Sequence, residues 1–100
     1  MKILRAYCGL KGPGGYKKEH ERECLLVQLS EKYFPAGLTS YDAVGLWADG
    51  GQERTVILEV LTDQSARDYR QLLNLAAEYK ERGQQEAVLL TRQNVAADFV

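Results

Sequence analysis

Alternation at period two opens the chain. Leu4, Ala6, Cys8 and Leu10 fall on one side of an extended backbone, and Ile3, Arg5 and Tyr7 on the other, so residues 2–10 read as a strand. Lys11-Gly12-Pro13-Gly14-Gly15 ends it, since glycine and proline interrupt regular structure. The period then lengthens. Residues 17–34 predict a helix whose apolar stripe is Leu25, Leu26, Leu29 and Tyr33. Its charged front half places Glu19, Glu21 and Glu23 near the N-terminus, where negative charge complements the helix dipole. Pro35 and Gly37 stop it.

A second alternation over residues 38–47 predicts another strand, carrying Leu38, Tyr41, Val44, Leu46 and Trp47. Ala48-Asp49-Gly50-Gly51 reads as a hairpin turn, because Asp and Gly both tolerate positive φ. The β-branched run over residues 53–61 is its partner strand. Residues 66–82 predict a second helix with Tyr69, Leu72, Leu73, Ala76 and Tyr79 on its apolar face. Ser65 and Asp68 match a capping box, and Gly83 fits a left-handed C-terminal cap. Residues 85–91 predict a last strand, and the tail from Asn94 to Val100 is apolar enough for a short extra strand or a docked segment.

The order β-α-β-β-α-β predicts a ferredoxin-like α+β sandwich, two helices on one face of a four-stranded antiparallel sheet, as a single domain over residues 1–100. Such a sheet has a second face without helices. The alternation there is not the apolar/polar one of a solvated face: Ile3 and Tyr7 in the first strand, and Ile57 and Leu61 in the third, sit where polar residues belong. Large exposed apolar patches are uncommon on monomers, so a cover is expected, and a second copy of the chain is the simplest one. The tail folding back is the other. If Tyr41 and Trp47 share this face with Arg5, Tyr7 and Glu59, it combines an aromatic floor with a cation and a carboxylate, which suits a small ligand. The same residues also allow plain interface packing with an Arg5–Glu59 pair.

Charge and composition narrow the function classes. A net charge of −1 leaves no basic surplus for phosphates, so nucleic acid is not an expected partner. No apolar run approaches the ~18–20 residues of a membrane span, and Arg5 interrupts any leader-like segment, so a cytoplasmic protein is expected. Cys8, Cys24 and the lone His20 are too few for a structural zinc site, and the cysteines read as reduced core thiols. No cofactor or metal is expected. The glycine-rich Gly9–Gly15 lies where phosphate loops lie, but Pro13 removes a donor and no Gly-Lys-Ser/Thr follows. His20 and Cys24 stand one helical turn apart, a spacing that is incidental without an orienting third group.

The stretch Phe34-Pro35-Ala36-Gly37-Leu38-Thr39-Ser40-Tyr41-Asp42-Ala43-Val44-Gly45-Leu46-Trp47 resembles a bacterial domain family of unknown function that reads roughly F-P-x-G-L-T-x-x-D-A-x-G-x-W there. The similarity continues through Val56–Glu59, Tyr79-Lys80 and Gln85–Leu89. Many members look exported. The resemblance implies no activity but points at Asp42, Trp47 and Glu59. A weaker similarity, in element order and in Gly37-Leu38-Thr39 and Gly45, is to PII-type signalling proteins, trimers that bind nucleotides between subunits beside a long loop; here the corresponding loop spans only Ala48 to Gln52.

These readings converge on a small, non-enzymatic, homo-oligomeric binding module. Its ligand or partner would lie at the open sheet face or in a subunit cleft, with Arg5, Tyr7, Tyr41, Asp42, Trp47 and Glu59 as candidate contacts. Two alternatives stand beside it: a cofactor-free enzyme of the dimeric α+β barrel kind, with Asp42 or a paired Asp42–Glu59 as its acid-base group, and a small interaction or inhibitor protein from a mobile element.

Overall fold

In the computed structural model, which describes residues 1–100, the elements run β1 (Lys2–Gly9), α1 (Gly15–Tyr33), β2 (Thr39–Leu46), β3 (Gln52–Thr62), α2 (Ser65–Arg82) and β4 (Leu89–Asn94). The strands form one antiparallel sheet in the order β2-β3-β1-β4, and both helices lie on one side of it. This is the ferredoxin-like arrangement that the alternations predict.

Register decides which side chains share a face. Leu4 pairs with Val60, Ala6 with Leu58 and Cys8 with Val56. These six point at the helices and are buried against Leu26 and Leu29 of α1 and Leu72, Leu75 and Tyr79 of α2. The β2–β3 turn forms as expected: Gly50 adopts φ 85°, Trp47 donates its N–H to the Gly51 carbonyl, and the Asp49 carboxylate accepts from the Gly51 N–H at 2.8 Å.

Several local expectations are corrected. Helix α1 begins at Gly15, so its first turn holds Lys17 and Lys18 and no acid. Ser65 lies inside α2 and caps nothing. The Thr62 hydroxyl instead accepts from the Gln64 N–H at 2.8 Å and donates to Asp68, which holds the chain's entry into the helix. At the other end, Gly83 has φ −84° and the left-handed residue is Gln84, at φ 56°. Gly83 is needed for room, because a Cβ there would press on the Tyr79 carbonyl and ring. The buried face of α2 uses Leu75, while Leu73 is exposed. Strand β4 starts four residues later than the pattern suggests.

The tail forms no further strand. Val95 donates its N–H to the Met1 carbonyl, Phe99 and Val100 are exposed, and Phe99 borders a depression at the end of the sandwich with Met1, Pro35 and Leu61. No helix is long and apolar enough to cross a membrane.

One buried cation locks the two halves of the fold. Arg22 is 3% exposed. Its guanidinium donates to the carbonyls of Gly83 (2.6 Å), Leu10 (3.0 Å) and Pro13 (2.8 Å). Arginine suits this position because its planar fork serves several acceptors at once. The glycine-rich turn is thereby pinned to the C-terminal end of α2, with its carbonyls turned inward. Of the two cysteines, Cys8 is buried, and burial pushes its thiol up to about 12, whereas Cys24 is on the surface of α1.

Candidate functional site

On the face without helices, the register stacks side chains into rows that cross the sheet. The first row joins Gln93, Ile3 and Leu61. The next joins Thr91, Arg5, Glu59 and Thr39, and the third joins Leu89, Tyr7, Ile57 and Tyr41. A fourth, of small residues, joins Gly9, Thr55 and Ala43, and a fifth pairs Glu53 with Gly45 beside Trp47.

The structure brings five of the six expected residues onto this face. Arg5 Nε donates to Glu59 Oε1 at 2.7 Å, and Arg5 Nη1 donates to Gln93 Oε1 at 3.1 Å. The Tyr41 hydroxyl donates to the same Glu59 oxygen at 3.3 Å. One polar network thus spans all four strands, and its charges are satisfied within it. Glu59 also raises the Arg5 pKa further, through the side-chain hydrogen bond.

Asp42 goes elsewhere. It pairs with Val56 in register and points to the helix side, so Asp42 and Glu59 do not face each other. Its nearest cation is Arg54, at 3.9 Å, and Arg54 is bound more closely by Glu23 of α1, at 2.6 Å. Asp42 lines a groove of about 560 Å³ between α1 and β2, floored by Leu26, Phe34, Leu38 and Val56. His20 and Cys24 do meet, with Sγ and Nε2 3.6 Å apart, but both are exposed and no third group orients them.

The larger depression lies on the open face at the hairpin end, about 1080 Å³ in volume. The row of small residues is its floor. Tyr7 and Ile57 stand on one side, Trp47 and Glu53 on the other. Glu53 is the residue that the sequence reading misses. Its carboxylate lies directly over Gly9, so close that a Cβ at Gly9 would overlap it. Trp47 Nε1 donates to Glu53 Oε2 at 3.3 Å, and no basic side chain pairs with this carboxylate. By contrast Glu23, Glu59, Asp68 and Glu78 each have an arginine or lysine partner. The signal available in the sequence was the glycine at the end of β1, which marks close approach by another group.

No curated protein matches the chain. Among solved structures, a phage SAM lyase in complex with S-methyl-5'-thioadenosine superposes with a TM-score of 0.62 at 16% identity, over 92% of this chain and 79% of that one. At that identity the likeness is one of fold. The model of a family described as a protein of unknown function, DUF3574, matches residues 7–99, and the chain belongs to that family.

Proposed function

We propose that this protein is a homo-oligomeric binding module that holds a small molecule on the open face of its sheet. The observation that carries the reading is the row Leu89–Tyr7–Ile57–Tyr41, an apolar band across all four strands on the side without helices, with Ile3 and Leu61 close by. Leu89 is 61% exposed in the isolated chain and Leu61 40%. A second copy laid against this band would bury it and roof the depression beside it, which supplies the enclosure that small-ligand sites use.

Native mass spectrometry and light scattering test the assembly. The wild-type chain is expected at a discrete multiple of 11.3 kDa, and Leu89→Glu at the single mass. Because Leu89 is exposed in the isolated chain, the substitution leaves the fold intact. A wild-type chain that is monomeric at micromolar concentration would sink the oligomeric reading.

The second reading is an enzyme. It is favoured by the phage SAM lyase, an enzyme of the same fold, and by Asp42 at the mouth of a groove between helix and sheet. On this reading S-methyl-5'-thioadenosine binds the chain, and Asp42→Asn abolishes turnover of the corresponding substrate class. Absence of both effects removes it.

A further inference from the structure

We propose that the depression over Gly9 binds an organic cation, a quaternary ammonium or sulfonium group carrying an apolar body, with Glu53 as its counter-ion. This rests on the preceding reading for the open face as the ligand-bearing face, and it names the chemistry of what binds there.

Three features converge. The first is charge. The depression is lined by Asp49, Glu53 and Glu86 against the single cation Lys11, so its balance is negative. Arg5 and Glu59 neutralise each other outside it. The second is the state of Glu53. Trp47 fixes one carboxylate oxygen and leaves the other without a protein donor, directed over the bare backbone of Gly9. Gly9 itself is held in place from below, where the Tyr79 hydroxyl donates to its carbonyl. The third is the shape and surface of the walls. Trp47 and Tyr7 line the depression together with a floor of Gly9, Thr55, Ala43 and Gly45, so aromatic side chains border the open space above the floor.

A carboxylate beside one aromatic wall, with a second aromatic ring across the floor, selects for a weakly hydrated, alkylated cation. Ring faces attract such charge, and its apolar substituents contact the floor without loss of strong hydration. A divalent metal would need several convergent oxygen ligands, and an anion would meet the carboxylates. A neutral aromatic molecule would gain the walls but not Glu53.

Trp47 is the sole tryptophan, so its fluorescence and its indole N–H resonance report on this place alone. The probe is benzyltrimethylammonium, with benzyl alcohol and benzoate as uncharged and anionic controls, titrated into the full chain. The expected result is saturable binding of the cation at least about tenfold tighter than either control, equivalent to ~1.4 kcal/mol. Glu53→Gln should raise the cation's Kd by about tenfold, while Glu21→Gln, on α1 outside the depression, leaves it unchanged. Trp47→Ala, at an exposed position that the fold does not need, should weaken binding too, read by calorimetry. Equal affinity for benzyl alcohol, or cation binding that survives Glu53→Gln, would overturn the proposal. Failure of the assembly is separate: a monomer that binds the cation overturns oligomerisation and keeps this site, and an oligomer that binds none of the three probes does the reverse.

Discussion

The two faces of the sheet are built from the same strands, yet they obey different rules. In β3, Val56, Leu58 and Val60 point one way and Ile57, Glu59 and Leu61 the other. On the helix side Val56, Leu58 and Val60 are apolar and buried, and volume governs which residues fit there. On the open side the rows differ in kind: an apolar band, a satisfied polar network and a floor of small residues lie next to one another. A face needed only for stability would not require such sorting by row. On the proposed reading the open side serves recognition, and the helix side holds the buried core.

The sharpest test of that contrast uses two leucines three residues apart. Leu58→Ala removes a side chain that is 1% exposed and should cost about 3 kcal/mol, a fall in Tm of roughly 15 °C for a domain of this size. Leu61→Ala should cost less than about 0.5 kcal/mol when measured in the Leu89→Glu background, where assembly makes no contribution. Similar losses at both positions would mean that the open face is sealed within a single chain.

A smaller effect should appear in the helix layer that seals the other side. Glu78 of α2 accepts from Lys32 (2.7 Å) and Tyr33 (2.7 Å) of α1 and from Arg82 (2.6 Å), and these bonds hold its carboxyl down at about 2. The folded-state value lies below the ordinary 4.5, so the contribution is complete above about 4.5 and is lost as pH falls towards about 2. Glu78→Gln should accordingly lower Tm at pH 7 and lower it clearly less at pH 2.5, as thermal melts at the two pH values would show. An equal drop at both would mean that packing, not charge, joins the helices there.

The element order was legible in the sequence because alternation and its interruption are local properties. Strands β1 and β3 and the Asp49-Gly50 turn follow from residue type alone. What escaped depends on distant partners. Arg22 looks like one more charged residue on a polar helix turn, and only the arrival of Gly83, 61 positions later, makes it a buried tie. Strand β4 was placed too early because Gln85 and its neighbours resemble strand residues. Instead the Gln85 side chain bonds the carbonyls of Lys11 and Gly83, so the strand begins only at Leu89. In the candidate site, parity within each strand puts Arg5 with Tyr7, and Tyr41 with Trp47 but opposite Asp42; that the two pairs and Glu59 share one face follows only from the registers between strands. The facing of Asp42 depends on the register between β2 and β3, and the role of Glu53 on its approach to Gly9, and neither of these is a property of one strand.

Cys8 and Cys24 also differ in their use to the experimenter. The first is sealed beneath the helices with its proton held, and the second lies open to water. A thiol-directed dye added to the native chain therefore has one address, on the outer surface of α1, with no mutation required. Molecules that take up two dyes are those whose first strand has come away from the helices. Counting dyes per chain thus counts unfolded molecules, and the protein carries its own reporter of integrity for every variant made of it.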